Sequence, residues 1–411
     1  MIDKFREKAS LLSAVNVSIN LAILALFKYY DFFVSNFVDV FLDGNAEGLL
    51  LHLVLPVGIS FYTFQALSYT IDVYKGRITA VKDPIQFFAY VSFFPQLVAG
   101  PIERATNLLP QFSKKREFDS KEAFAGVTLI LWGLFKKMVL ADNCARYVDA
   151  IFSDIPLYSG STLLLAAVLF AFQIYGDFSG YSDIAIGTAE LFGIHLMRNF
   201  NVPYFSRDIA EFWRRWHISL TTWFRDYVYI PMGGSRCGKA RVILNTFVIF
   251  LLSGLWHGAN WTFMAWGGYH AILFMPLILT GKNRRYRNIV ADGRHLPSAK
   301  EFIQIISTFI LVVLGWIIFR ADSISQAELC FSGIFSRSLI TLPNLLNASE
   351  LLPVIFALVT VTIVEWVNRK EPQSIYLHNL GPVRTATVWI LITAAILLFG
   401  ANSDNFIYFQ F

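Results

Sequence analysis

The chain has 411 residues, of which 55% are hydrophobic and only 15% are charged, and its formal net charge is +5. Soluble domains carry about 25% charged residues, and this chain has long uncharged runs along its whole length. The composition therefore excludes a soluble α/β protein and indicates an all-α polytopic membrane protein.

Uncharged runs long enough to cross a bilayer recur from one end of the chain to the other. A spanning helix needs about 20 mostly apolar residues, and most of the runs meet that length. The longest, 242–281, has room for two helices with a Trp-His-Gly-Ala-Asn turn between them. With three weaker segments added, we predict about nine to eleven membrane helices. The runs are residues 11–27, 49–71, 84–102, 155–176, 242–281, 302–319 and 385–403, and the weaker segments are 123–141, 183–197 and 351–367.

The first run, 11–27, follows Lys4, Arg6 and Lys8, and no small-residue cleavage pattern comes after it. We therefore predict a signal-anchor helix that stays in the protein. Because Lys and Arg collect on the cytoplasmic side of membrane proteins, we place the basic loops there. The predicted spans then alternate, with the N-terminus in the cytoplasm and the C-terminus outside.

Residues 84–102 do not fit this alternation, because basic loops flank them on both sides. Pro95 and Pro101 interrupt the run, and proline lacks the N–H donor that a helix interior needs. We predict a re-entrant segment that does not span. Broken backbone at membrane depth is tolerated only against protein or a wet cavity.

The chain shows neither an internal duplication nor a soluble domain, which predicts one membrane-embedded domain. Its three cysteines, Cys144, Cys237 and Cys330, lack the spacing of metal ligands or of a disulfide framework, so no metal site is expected. The single domain, 1–411, divides into an N-terminal helix and outer loop (1–48), a motif-bearing core (49–281) and C-terminal helices (282–411).

Two histidines lie in or against the apolar segments. His217 follows two arginines and a tryptophan, and His257 lies in a Gly-Leu-Trp-His-Gly-Ala-Asn stretch. Ionisable groups are expensive in a bilayer, so an intramembrane histidine is a candidate functional residue, and imidazole can exchange a proton near pH 7. Gly254 and Gly258 leave room for close backbone approach or for a substrate. The alternative for His257 is a hydrogen-bonded residue that joins two helices.

The stretch 207–241 mixes arginines with aromatic residues, as interfacial helices partly sunk in a membrane do. An anchor that binds anionic lipid is the alternative interpretation. Residues 233–239 approach the phosphate-binding pattern G-x-x-x-x-G-K, but Ala240 replaces the Ser or Thr that would hold Mg²⁺, so we exclude a nucleotide hydrolase. We predict a looser site for the phosphates of a donor molecule. Its candidate residues are Arg214, Arg215, Arg236, Lys239 and Arg241.

Four more residues are candidates for lining or orienting the passage through the protein. Asp177 and Asp183 lie close to membrane depth, where carboxylates need partners or a water-filled cavity. They could orient a histidine or pair with the arginines above, and we favour structural pairing. Trp256 and Asn260 flank His257. The remaining histidines are expected to be structural or surface residues: His52, His195, His270, His295 and His378.

Five motifs carry a resemblance to a known family. In chain order and from residue 55 onward, they resemble the membrane-bound O-acyltransferases, and among these the bacterial branch that acetylates alginate and related envelope polysaccharides. Members of that branch usually carry further hydrophobic segments before the equivalent of Leu11. The motifs are Phe93-Phe-Pro-Gln-Leu-Val-Ala-Gly-Pro-Ile, Gln173-Ile-Tyr-Gly-Asp-Phe-Ser-Gly-Tyr-Ser-Asp, Phe212-Trp-Arg-Arg-Trp-His-Ile-Ser-Leu, Trp223-Phe-Arg-Asp-Tyr-Val-Tyr-Ile-Pro-Met-Gly-Gly and Gly254-Leu-Trp-His-Gly-Ala.

The resemblance implies helices around a tunnel, with His257 as the principal catalytic histidine and His217 as the second. It also implies acyl transfer from a cytoplasmic thioester, with acetyl-CoA as co-substrate and no permanently bound cofactor. The implied location is the bacterial cytoplasmic (inner) membrane, in contact with lipid. The implied acceptor is an envelope polysaccharide, reached through an extracytoplasmic partner acetyltransferase, and no nucleic acid is involved.

Two alternatives stay open at this point. Relatives that transfer D-alanine from a carrier-protein thioester to teichoic acid share both histidines. A transporter or flippase would also have about ten helices, although the internal repeats typical of transporters are not visible in the sequence.

The re-entrant assignment predicts that cysteines in place of Lys75 and Lys114 are accessible from the same, cytoplasmic side. A membrane-impermeant maleimide should label both only after the cells are permeabilised. A cysteine in place of Asp39, in the predicted outer loop, should be labelled in intact cells. Labelling of positions 75 and 114 from opposite sides would contradict the assignment.

Overall fold

The structure, a computed structural model, describes residue 2 and residues 5–42, 44, 46–344, 351–377 and 381–401. His378 and the predicted outer tail after residue 401 lie outside the described residues. Within them the regular structure is helical and no β-strand occurs. The α-helices are α1 (Ala9–Lys28), α2 (Tyr30–Phe41), α3 (Ile59–Tyr74), α4 (Pro84–Val91), α5 (Ala105–Phe112), α6 (Ser120–Leu134), α7 (Asp142–Ser153), α8 (Gly160–Leu191), α9 (Ile209–Arg215), α10 (Ile218–Phe224), α11 (Lys239–His257), α12 (Trp261–Leu279), α13 (Ala299–Arg320), α14 (Ile324–Ile334), α15 (Leu351–Val367) and α16 (Pro382–Phe399).

Seven helical segments of the described chain are long and apolar enough to cross a membrane, and α15 is a shorter apolar helix. The predicted class, an all-α polytopic membrane protein, is confirmed. In the segment that contains α6 and α7, a π-helix, Phe135–Ala141, joins the two helices without a break. The seven segments are Arg6–Lys28, Ser120–Ser153, Gly160–Leu191, Lys239–His257, Trp261–Leu279, Ala299–Arg320 and Pro382–Phe399.

The seven segments are fewer than the predicted nine to eleven because some apolar runs do not form separate long helices. Residues 84–102 form only the eight-residue α4, then turns from Ser92 onward. Eight residues rise about 12 Å, too little to span, in agreement with the predicted break. The segment 183–197 is not a separate helix, because most of it continues the 32-residue α8, which no proline interrupts.

Helices α11 and α12 form a tight antiparallel hairpin, as the sequence predicts. α11 ends at His257, and Asn260 starts α12 by accepting a hydrogen bond from the N–H of Thr262 at 3.0 Å. A Cβ atom on Gly254 would overlap the carbonyl oxygen of Phe263. The glycine therefore serves close backbone approach, which small residues permit at membrane helix interfaces.

We predict that Gly254→Ala destabilises the protein by about 1–3 kcal/mol, because the added methyl group has to push the two backbones apart. Gly268→Ala is the matched control in the same hairpin, since its Cβ would meet only Leu251 Cδ2 at 4.0 Å. Thermal unfolding of the detergent-solubilised variants measures both effects. Equal midpoints for the two variants would show that the close approach is not needed.

Candidate active site

His257 is the last residue of α11 and is buried among aromatic rings. Its ring centroid lies 5.0 Å from that of Trp256, 5.2 Å from Trp266 and 5.4 Å from Phe319. Its Nδ1 atom lies 2.6 Å from the carbonyl oxygen of Ser253, one helical turn earlier. A carbonyl can only accept a hydrogen bond, so Nδ1 carries the proton of the neutral ring, and Nε2 carries the lone pair that a base needs.

His217 lies in the turn between α9 and α10, with φ 43° and ψ 56°. A non-glycine residue rarely adopts this left-handed conformation. Asn199 holds the turn: its carbonyl accepts from the N–H of Ile218 at 2.8 Å, and its Oδ1 accepts from the hydroxyl of Ser219 at 2.6 Å. Strained backbone of this kind persists only when the surroundings fix it, and it clusters at functional sites.

The two histidines both lie close to one indole ring. The centroid of Trp256 is 5.8 Å from that of His217 and 5.0 Å from that of His257. Within the described chain, neither ring nitrogen of His217 has a hydrogen-bond partner. Burial is the main cause that lowers the pKa of His217 well below its ordinary value, and the proximity of His257 lowers it further. His217 is therefore neutral, with both ring nitrogens buried.

A cavity of about 570 Å³ lies against residues 246–253 of α11. We call it the inner cavity, because the predicted topology places its arginines on the cytoplasmic side. α11 lines it with Thr246, Ile249, Phe250 and Ser253, the spacing of one helical face. Its walls are mainly aromatic and aliphatic. Its cationic lining comes from Arg214, Arg215, Arg225, Arg284 and Arg287.

A second cavity of about 300 Å³, the outer cavity, is lined by Trp256 and His257 at the end of α11, together with Lys28 and Ser60. Ser253 in the inner cavity and His257 in the outer cavity are one turn apart, about 6 Å of helix rise. They also share the hydrogen bond described above. His257 is therefore the residue at which the two cavities approach each other, while His217 is not among the lining residues of either.

The arginines of the inner cavity differ in how far their charge is compensated. Arg215 and Arg207 both bind the buried carboxylate of Glu211, with N–O distances of 2.8 and 3.0 Å. Arg225 is paired with Asp226 at 2.7 Å. Arg215 therefore contributes mainly to structure, and the positive potential of the cavity comes largely from the other arginines.

Arg214 is exposed and donates to two neutral carbonyl oxygens, those of Asn283 at 2.8 Å and Tyr286 at 2.7 Å. These contacts hold the loop that carries Arg284 and Arg287 against the inner cavity. The guanidinium keeps its full charge in such contacts, so the loop and Arg214 together form a cationic rim.

Three predicted donor-binding residues lie elsewhere. Arg236, Lys239 and Arg241 are exposed and are not among the lining residues of the inner cavity. The reason is local: Lys239 and Arg241 begin α11, and Arg236 lies in the preceding turn, where water can hydrate all three charges. Besides Arg214, Arg215 and Arg225, the cavity takes its cations from the loop after α12.

The predicted passage residues Asp177 and Asp183 bind lysines rather than the arginines or a histidine. Asp177 is 2.8 Å from the Lys137 ammonium, and Asp183 is 2.7 Å from that of Lys136. Both lysines come from the π-helix between α6 and α7. Asn260, the other predicted orienting residue, caps α12 and donates to the carbonyl of Asp322, so it serves the hairpin rather than the passage.

Three residues that line the two cavities are not singled out by the sequence: Arg284, Arg287 and Lys28. The first two lie in a loop that the sequence marks only as short and basic, and nothing in their spacing points to α11. Lys28 reads as the end of a signal-anchor helix. All three are positively charged residues next to an apolar run. The same pattern occurs where the charge only sets the membrane topology.

The sequence profile of the membrane-bound O-acyltransferase (MBOAT) family matches residues 80–318. The chain belongs to this family. The resemblance predicted from the motifs is confirmed.

Three relatives of this MBOAT protein are named after O-acetylation. A protein named "probable alginate O-acetylase AlgI" from Pseudomonas putida is 36% identical over 97% of this chain and 84% of its own length. Its namesake from Pseudomonas aeruginosa is 42% identical over 78% of this chain, and the match spans 60% of that protein. The peptidoglycan O-acetyltransferase of Helicobacter pylori is 33% identical over 95% of this chain and 81% of its own length.

Proposed function

We propose that this MBOAT protein transfers an acetyl group from cytoplasmic acetyl-CoA to a hydroxyl on the outer side of the bacterial inner membrane. The transfer serves the O-acetylation of an envelope polysaccharide. The observation that carries the proposal is that α11 lines two cavities one turn apart, with Ser253 in the inner cavity and His257 in the outer cavity. The names of the three relatives support acetyl over D-alanyl as the transferred group.

The inner cavity has the properties that a CoA thioester requires. Its arginines suit the phosphates of the nucleotide, because guanidinium groups bind phosphate with strong charge-assisted hydrogen bonds. Its apolar walls suit the pantetheine arm. The face of α11 then leads from the cationic rim to Ser253, whose carbonyl holds His257.

The chemistry needs a base, because a hydroxyl is a poor nucleophile until its proton is removed. In the proposed step, Nε2 of His257 takes the proton while the hydroxyl oxygen attacks the thioester carbonyl carbon. The C–S bond breaks, and the leaving thiolate takes the proton back from the imidazolium. The products are an acetyl ester and free CoA. His217, which is neutral, assists by donating an N–H to the developing oxyanion.

The outer cavity limits what can approach His257 from the other side. Its volume of about 300 Å³ admits one side chain or one sugar residue, not a length of polymer. This favours a relay in which an extracytoplasmic partner acetyltransferase offers its hydroxyl first and then passes the acetyl group to the polysaccharide.

Membranes that contain the protein should transfer label from radiolabelled acetyl-CoA to an acceptor, and His257→Gln should lower kcat by about 100-fold or more, as expected for loss of a general base. His195→Gln, at an exposed histidine, is the control and should leave the rate unchanged. No transfer by the wild type would overturn the proposed reaction. Full transfer by a folded His257→Gln variant would overturn the role of His257.

Arg284→Ala and Arg287→Ala should each raise KM for acetyl-CoA about tenfold, with kcat nearly unchanged, because each removes a charged contact worth about 1.5–3 kcal/mol. Arg285→Ala is the matched control, since Arg285 lies between them and is not among the lining residues of the inner cavity. Acetyl-phosphopantetheine lacks the nucleotide and should be far less sensitive to either change. If all three variants behave alike, the inner cavity does not bind the nucleotide.

A further inference from the structure

The helix that carries His257 ends without a cap of its own. The last four carbonyls of an α-helix have no partner within the helix. In α11 these belong to residues 254–257, and the next residue, Gly258, is extended with φ −168° and ψ 159°. Such an end frays unless other groups bind its carbonyl oxygens.

Helix α1 supplies those groups from more than two hundred residues away in the chain. The ammonium of Lys28 donates to the carbonyls of Trp256 at 2.6 Å and His257 at 3.1 Å. The hydroxyl of Tyr29 donates to the carbonyl of Leu255 at 2.9 Å. Three of the four carbonyls are therefore bound by side chains at the end of α1.

Lys28 suits this position by charge as well as by geometry. A cation is favourable at a helix C-terminus, where the aligned peptide dipoles leave partial negative charge. The ammonium has three donors, and its third partner is the hydroxyl of Ser60 in the first turn of α3, at 3.3 Å. One side chain thus joins α1, α3 and the end of α11 at the outer cavity, which Lys28, Ser60 and His257 all line.

We propose that Lys28 is the positioning residue of the catalytic histidine. It fixes the last turn of α11, and therefore the Nδ1 contact of His257 with Ser253, so that Nε2 stays aimed at the reacting hydroxyl. Displacement of a catalytic group by about 1 Å can cost about 100-fold in rate. The inference rests on the proposed acyl transfer, and it makes the first apolar helix part of the active site.

The test compares Lys28→Met, Lys28→Arg and Tyr29→Phe in the acetyl-CoA transfer assay. Lys28→Met should lower kcat at least tenfold and leave KM for acetyl-CoA within about twofold, because the donor occupies the inner cavity. Lys28→Arg keeps the cation and its donors and should restore much of the rate. Tyr29→Phe removes a single carbonyl contact, so its loss should be smaller. Lys300→Met, at an exposed residue at the start of α13, is the control.

A kcat for Lys28→Met within twofold of the wild type would overturn the inference, and so would equal losses in kcat and in donor affinity. If Lys28→Met does not fold, the comparison of Lys28→Arg with Tyr29→Phe decides: unchanged kcat in both variants overturns the inference. If the wild type itself transfers no acetyl group, the proposed function fails.

The positional claim can be tested without any transfer. The rate at which diethyl pyrocarbonate modifies His257, followed by mass spectrometry, should rise at least threefold in Lys28→Met. The exposed His52 and His195 serve as references and should react at an unchanged rate. An unchanged rate at His257 would overturn the positioning role whatever the reaction is.

Discussion

Polar groups inside a bilayer have to find their partners within the protein, and the end of α11 shows what that requirement produces. The carbonyls of Leu255, Trp256 and His257 lie at the end of an apolar membrane helix, and Lys28 and Tyr29 at the end of α1 donate hydrogen bonds to them. Leaving such groups unbound would cost about 1–3 kcal/mol each. The position of His257 therefore depends on the hydrogen bonds that the carbonyls at the end of its own helix accept.

The same requirement separates the charges of the protein into two groups. Glu211, in the short helix α9, forms ion pairs with Arg207 and Arg215. The two lysines of the π-helix form ion pairs with Asp177 and Asp183. These cations are bound to carboxylates inside the protein and hold neighbouring segments together. The arginines at the rim of the inner cavity bind neutral carbonyls or lie exposed, so their charge remains for a ligand. Burial thus separates the cations that are bound to carboxylates from those whose charge stays exposed.

The sequence predicts well those features that are coded locally. The hydropathy runs, the break after residue 91 and the turn at residues 258–260 each depend on a few neighbouring residues. The structure shows the break and the turn, and it forms seven long apolar helical segments from the runs, fewer than the runs predict. The motif resemblance predicts the family, and comparison confirms it. The extension of α8 through residue 191 escaped prediction because Asp183 and Glu190 lower the local hydropathy, although one of them is paired with Lys136 in the fold.

The contacts that build the candidate site join residues that are far apart in the chain. Lys28 lies more than two hundred residues before His257, and Arg284 reaches the inner cavity through a loop whose path is set by Arg214. Neither pairing has a pattern in one sequence. Conversely, Arg236 and Lys239 are close to His217 in sequence and yet do not line the inner cavity. They lie just before and at the start of α11, where their side chains are exposed.

An open hole through an energised membrane would let protons flow down their gradient and would dissipate the energy that the cell stores there. The indole of Trp256 is 4% exposed, packs close to both histidines and lines the outer cavity, three residues after Ser253, which lines the inner cavity. A tightly packed ring at this position is what the proposed acyl transfer needs in order to proceed without a leak. Replacement of that ring by a small side chain is expected to lower the membrane potential of the host, independently of any effect on the proposed transfer.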